Sequence, residues 1–422
     1  MTATTCYRLI LTLIKNNANA NNNDKKVLNV PALRFPEFTG EWEIVSLKDI
    51  AVVNPKSEPL LNKFFYIDLE SVEKGELKKI QEILQEEAPS RAQRVISNND
   101  ILFQCVRPYQ KNNYIHRVKN TSNIQWIAST GYAQIRTTES PNYIYHLLNT
   151  DGFNRKVMVR CTGSSYPAIN SEDLSAIRFY LSTDKKEQCK IARLLDLLDE
   201  RISTQNKIIE KYESLIQAIC DTLIEAEQHK VELSFNDFGE PYSGLSGKSA
   251  EDFGEGCQYI TYMNVYQNQI IDTTDVGLVK INETEQQSVV RYGDILFTLS
   301  SETPNEVGMG AVYLGDTYPL YLNSFCFGVR IIDESKIFPP FLAYYISTKS
   351  FRKAVFPLAQ GSTRFNLQKR DFMNKMFLFP MVEKQNKIYT TLKAYSDKLS
   401  IEKRIAKLLC EQKSFLLRQL FI

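Results

Sequence analysis

Ile191, Leu195, Leu198, Ile202, Gln205, Ile209, Tyr212, Ile216, Ile219 and Leu223 follow one another at alternating steps of four and three residues. A second stripe has the same rhythm: Ile388, Leu392, Tyr395, Leu399, Glu402, Ala406, Leu409, Lys413, Leu416 and Leu420. An apolar position every 3.5 residues on average is the seam of a helix that packs along another helix. Neither stretch contains glycine or proline, so each predicts one uninterrupted helix of roughly 50 Å at 1.5 Å per residue. A helix lying on a globular core normally carries a wider apolar face. The narrow seam therefore predicts that the two stripes pack on each other rather than each on its own domain. Their polar breaks, Gln205 and Glu402, fall at the same point of the pattern.

Elsewhere the pattern shortens. Ile101 to Phe103, Ala133 to Ile135, Ile177 to Leu181, Ile295 to Leu299, Cys326 to Ile331 and Met376 to Phe379 are apolar runs bounded by Asn, Asp, Gly or Pro, and predict strands. Tyr143 to Leu148 and Phe341 to Ser347 follow proline-containing turns and predict helices. The expected class is mixed α/β (α+β): a body of short strands and helices, then a long helix, twice over.

The duplication is visible residue by residue. Asp100-Ile101-Leu102-Phe103 returns as Asp294-Ile295-Leu296-Phe297, Gly163-Ser164-Ser165 as Gly361-Ser362-Thr363, and Gln188-Cys189-Lys190-Ile191 as Gln385-Asn386-Lys387-Ile388. Fainter still, Val45, Leu47, Asp49 and Ile50 are echoed by Leu233, Phe235, Asp237 and Phe238. A period this long is a duplicated domain, not a solenoid. The expected division is an N-terminal extension at 1–29, a first body at 30–184 and a central helix at 185–229. A second body at 230–382 and a distal helix at 383–422 follow. Two similar bodies suit a target with two halves.

Charge adds a candidate chemistry. The 422 residues carry a net charge of only +2, so the distribution alone is informative. Between Arg91 and Thr138, Arg91, Arg94, Arg107, Lys111, Arg117, Lys119 and Arg136 face a single acid, Asp100, among Tyr109, Asn112, Asn113, Tyr114 and Gln125. Between Tyr344 and Met376, Lys349, Arg352, Lys353, Arg364, Lys369, Arg370 and Lys375 face only Asp371. Basic segments interleaved with Asn, Gln and Tyr supply phosphate contacts and base-edge hydrogen bonds. The two Gly-Ser-Ser/Thr loops, with Arg160 and Arg364 beside them, are small enough for a phosphate to approach. Candidate DNA contacts are thus Arg91, Arg94, Arg107, Lys111, Asn112, Arg117, Arg160, Ser164 and Ser165 in the first copy. Those of the second are Lys349, Arg352, Ser362, Thr363, Arg364, Lys369 and Arg370.

Other chemistries find little support. Eight scattered cysteines without a CxxC pair, and histidines only at 116, 146 and 229, suit neither a disulfide framework nor a zinc site, and fit the reducing cytoplasm. Gly244 to Ser249 ends like a phosphate-binding loop, but Tyr242 stands where its first glycine is required. Phe338-Pro339-Pro340-Phe341 lacks the polar first residue of an amino-methyltransferase motif, and Glu76-Leu77-Lys78 lacks a carboxylate partner for nuclease chemistry. No catalytic residue and no metal ligand is assigned. The apolar run Tyr7 to Ile14 is too short for a membrane span and precedes an asparagine-rich tract, which reads as a disordered extension.

Taken in order, these motifs resemble the specificity subunits of type I restriction-modification systems. The opening Val30-Pro31-Ala32-Leu33-Arg34-Phe35-Pro36-Glu37-Phe38, then Glu41-Trp42-Glu43, the Gly293 to Phe297 strand, the Gly-Ser-Ser/Thr loops, the Gln-x-Lys-Ile helix starts and the closing Leu416 to Phe421 carry the likeness. Two departures stand out: the second copy has no Trp-Glu opening, and Lys413 interrupts its stripe. The resemblance implies two target-recognition domains held apart by two antiparallel coiled-coil helices, each domain reading half of a bipartite double-stranded DNA site. It implies no catalysis by this chain. Two modification subunits would carry S-adenosylmethionine, and restriction subunits would carry ATP and Mg. The alternative from the residues alone is a non-catalytic coiled-coil adaptor with duplicated protein-binding domains.

Overall fold

The computed structural model describes residues 29–117 and 124–422; the N-terminal extension up to position 28 and Lys119 lie outside them. The chain forms two compact units, one of residues 1–206 with 404–422 and the other of 207–403. Both divisions fall inside a long helix. The central helix runs Lys185–Ala226 and the distal helix Val382–Leu420, so each unit contains a globular body and one half of each helix.

The first unit is built on a four-stranded sheet in the order Ala51–Val53, Tyr132–Thr137, Ile101–Gln104, Tyr114–Ile115. The second unit repeats it as Gly239–Ser243, Cys326–Ile331, Ile295–Thr298, Gly310–Val312. Each unit also has a parallel pairing of strands, Phe64 to Ile67 beside Gln125 to Ala128, and Tyr259-Ile260 beside Tyr321-Leu322. An antiparallel pair closes each body: Glu43–Ser46 against Arg178–Leu181, and Lys230–Leu233 against Phe377–Pro380. The faint echo at the start of each copy now has a cause. Ser46, the last residue of its strand, and Ser234, the first after its own, donate their backbone N–H groups to Asp49 and Asp237, each at 2.7 Å, closing matching capping boxes. The ion-paired loop Gly244 to Ser249 is no phosphate cradle. Lys248 is buried on Glu285 at 2.5 Å. Phe338-Pro339-Pro340-Phe341 starts the helix Pro339–Tyr345 and is packed into the core.

The long helices begin by packing on a body. Ile191, Leu195 and Leu198 are buried, but so are Ala192, Leu194 and Leu197, all in one cluster with Phe35, Trp42 and Tyr143. The first two turns of the seam are therefore wider than the four-three stripe indicates, because they cover a domain core as well. Leu416, Leu420 and Phe421 of the chain's end join that cluster. In the second unit Ile216, Cys220 and Ile224 pack with Ile388 and Leu392. Further along, Ile202, Ile209 and Leu399 are half-buried, and Gln205, Glu402 and Leu409 are buried.

Charged pairs fix the helix direction. In the second unit Lys384 meets Glu227 at 3.5 Å and Lys403 meets Glu213 at 2.7 Å, an antiparallel progression. In the first, Lys413 reaches Asp199 at 2.5 Å. The lysine that breaks the stripe is thus a tie between the two helices.

Candidate nucleic-acid interface

The duplicated motifs split into those that build the fold and those that remain exposed. Asp100 is 1% exposed and accepts from Arg136 Nε at 2.8 Å, Arg136 Nη2 at 2.7 Å, Gln134 Nε2 at 2.7 Å and the Ser97 N–H at 2.7 Å. Its counterpart Asp294 accepts from Arg330 Nη2 at 2.9 Å, Tyr242 Oη at 2.7 Å and the Arg291 N–H at 2.8 Å. The Asp100 hydrogen bonds raise the Arg136 pKa, and those of Asp294 raise that of Arg330. Arg136, counted with the basic segment in the sequence, belongs to this structural bracket.

The Gln-x-Lys-Ile motif is also structural. Gln188 Oε1 accepts the Ser140 N–H at 3.1 Å, while its amide donates to Ser182 O at 2.8 Å. Gln385 repeats this with the Phe338 N–H at 2.8 Å and Pro380 O at 2.8 Å. Each glutamine thereby locks a long helix to the final strand of its body and to the start of an inner helix. In the first unit the opening motif adds a clamp. Arg34 and Trp42 both donate to Glu187, which is buried, and the Leu33 N–H donates to Gln419 O at 2.9 Å. Lys384 stands at the matching position of the second copy, so the carboxylate that Arg34 and Trp42 share in the first unit has no counterpart there.

Several candidate residues are held within the fold. The Arg352 guanidinium donates to the carbonyls of Gly308 at 2.7 Å, Asn305 at 2.8 Å and Val307 at 2.7 Å, and burial pulls its pKa down. It fastens a loop and offers no donor face to a ligand. Arg117 pairs with Asp196 at 3.0 Å. Burial alone would raise the Asp196 carboxyl; His146, Arg117 and Asn142 outweigh it and lower the pKa. Lys111 is tied to Asp151 at 2.6 Å, and Asn112 Oδ1 accepts the Lys74 N–H at 3.0 Å. Arg94 is half-buried on its strand, with its pKa lowered by burial and its Nε without a hydrogen-bond partner.

The rest face outward. Arg91, Arg160, Ser164, Ser165, Ser362, Thr363, Arg364 and Arg370 are exposed; the Lys349 side chain is 81% exposed, with its ammonium 3.8 Å from Asp221. Arg160 Nη1 donates to Lys156 O at 2.8 Å. Lys369 is half-buried, with its ammonium 5.6 Å from the Phe327 ring centre, and burial lowers its pKa. The Gly-Ser loops are tips of hairpins. Thr162 and Gln360 begin them, bridged to Ala168 and Asn366. Gly163 and Gly361 have φ of +88° and +135°, conformations that side chains rarely adopt. Sequence reasoning missed the aromatic residues beside these tips. The Tyr166 ring centre lies 4.4 Å from the Arg107 guanidinium carbon, and that of Phe325 lies 5.9 Å from that of Arg364. No group of His, Cys, Asp and Glu among the described residues could hold a metal ion.

The model of the type I restriction modification DNA specificity domain matches this sequence twice, over residues 39–214 and 245–410. The chain belongs to that family. Among solved structures, one from a study of complex assembly and conformational transition of the type I R-M system superimposes with a TM-score of 0.53 at 20% identity, covering 89% of this chain and 96% of that one. The type I restriction-modification S subunit of M. genitalium gives a TM-score of 0.53 at 16% identity, covering 93% and 99%. The HsdS subunit of Thermoanaerobacter tengcongensis, 21% identical, covers 90% and 96% at a TM-score of 0.37. No curated protein matches. The two family matches each run from a body into a long helix, and the specificity-domain repeat is thus the unit seen in the strand order. Among the described residues no helix is long and apolar enough to cross a membrane.

Proposed function

We propose that this chain is the specificity subunit of a type I restriction-modification complex, in which each unit reads one half of a bipartite double-stranded DNA site. The observation that carries this reading is the repetition of an entire body. The sheet order, the Asp–Arg bracket, the helix-locking glutamine and the glycine hairpin all recur. A duplicated reader with exposed basic residues near the same hairpin in each copy fits two half-sites better than one continuous site. The chain itself supplies recognition. S-adenosylmethionine would be held by two modification subunits, and ATP and Mg by restriction subunits.

The distal helix offers those partners a surface. Leu408 and Phe415, seven residues apart within the first unit, lie on a side of the helix other than the buried stripe and are 55% and 48% exposed. A second apolar row on a helix whose first row is already covered is what a docking helix of another subunit needs. Retention on duplex DNA tests the reading: the modification subunits together with this chain should be retained, and the modification subunits alone should not. Equal retention with and without this chain would remove the specificity role.

A further inference from the structure

The two hairpin tips share a frame but exchange their residues. In the first unit the strand beside the hairpin bridges Val106 to Ala168, and the Arg107 N–H donates to Pro167 O at 2.8 Å. In the second, Ser300 and Ser301 pair with Asn366 and Phe365. Arg107 and Ser301 therefore occupy one slot, and Tyr166 and Arg364 occupy another, three residues after the turn glycine. The first unit has arginine in the strand slot and tyrosine at the tip. The second has serine in the strand slot and arginine at the tip, with Phe325 supplied by a neighbouring turn whose carbonyl accepts the Leu299 N–H at 2.9 Å. Either way an arginine lies across an exposed ring: Tyr166 is 63% and Phe325 55% exposed.

These two arginines escape the ties that hold several others in the fold, and among the candidate arginines they are the ones that lie over a ring among the described residues. Arg117, Arg136 and Arg330 are held by carboxylates and Arg352 by carbonyls, whereas neither Arg107 nor Arg364 forms an ion pair among the described residues. Stacking on a ring fixes the long side chain in advance and leaves the outer guanidinium edge as a planar fork. A lone ammonium can hold a phosphate, whereas a planar fork grips two acceptors at once, whether two phosphate oxygens or two atoms on a base edge. A preset fork matches the two acceptors, O6 and N7, on the major-groove edge of guanine. Arg107 also holds a left-handed backbone, φ +53°, a conformation costly for a side-chain-bearing residue and concentrated at functional positions.

We infer that Arg107 in the first unit and Arg364 in the second each read one guanine, oriented by Tyr166 and Phe325 respectively. This rests on the reading of the chain as a DNA specificity subunit. The test is selection from a randomised duplex library by the full chain assembled with its modification subunits. Wild type is compared with Arg107→Lys, Arg364→Lys, Tyr166→Leu and Phe325→Leu, each first checked for an unchanged melting temperature. Lysine keeps the charge and loses the fork, so Arg107→Lys should reduce guanine preference at one position by roughly five- to 150-fold and leave the other half-site unchanged. Arg364→Lys should do the converse, and the leucine variants should weaken the same position as their own arginine. Unchanged base preferences in the lysine variants, with wild type still selecting two blocks, would overturn the inference and leave the specificity reading standing. Wild type selecting no sequence would overturn both.

Discussion

Arg136 holds Asp100 through two nitrogens, Nε at 2.8 Å and Nη2 at 2.7 Å, and 194 residues later Arg330 holds Asp294 in the same bracket. Both carboxylates are almost fully buried at the start of the central strand of a body. They cap a turn as well as pairing with arginine, so their removal orphans several donors at once.

Asp100→Ala and Asp294→Ala should each destabilise the protein by about 3 kcal/mol, near the lower end for breaking a buried pair because the arginines keep some access to water. Arg136→Ala should likewise lower stability while leaving the salt dependence of DNA binding unchanged. Denaturant unfolding and binding titrations check this. A shallower salt slope for Arg136→Ala would return that residue to the DNA interface.

Gln188 and Gln385 make the corresponding prediction for the helices. Gln188→Leu and Gln385→Leu leave a partly buried N–H and a buried carbonyl unpaired, at a cost of about 2–4 kcal/mol. Thermal unfolding should show a lowered midpoint for each variant, and exchange at the Ser140 and Phe338 amides should accelerate. Unaltered protection of those amides would contradict the locking role.

The phosphate-binding assignment narrows to the exposed Arg91 and Arg370 together with the half-buried Lys369. Arg91, Lys369 and Arg370 changed together to alanine should weaken binding to all sequences alike. The slope of log affinity against log salt should flatten by about 2.7, at roughly 0.9 for each phosphate no longer neutralised by a cation. The original slope in the triple variant would remove all three from the interface.

Much of this architecture was legible in the sequence because it rests on short-range patterning. Cys326–Ile331 is a strand over the span that its apolar run marked, and the four-three stripes are single helices. The site was less legible because charge alone does not reveal a partner. Arg352 and Arg364 look alike in the sequence, yet one is bound by three carbonyls and the other lies over a ring. The widening of the seam at Leu194 and Leu197 was missed for a related reason, since the four-three pattern does not report a second surface packed on the same turns. Phe325 stands far from its partner in the sequence, and only the hairpin geometry unites them.

The exposed row on the distal helix gives an assembly prediction. Leu408→Glu and Phe415→Glu should leave the chain's stability within about 0.5 kcal/mol of wild type, as for exposed positions generally. Both should abolish co-purification with the modification subunits. Normal assembly of both variants would place the docking surface elsewhere.

The central claim is that two copies of one body read two separate stretches of DNA. Mapping the methylated bases in random-sequence duplex DNA exposed to the complete complex tests this most directly. The account predicts a single motif of two specified blocks about one helical turn apart, near 34–36 Å centre to centre, separated by bases of any identity. A continuous motif with no unspecified gap, or methylation independent of sequence, would contradict it.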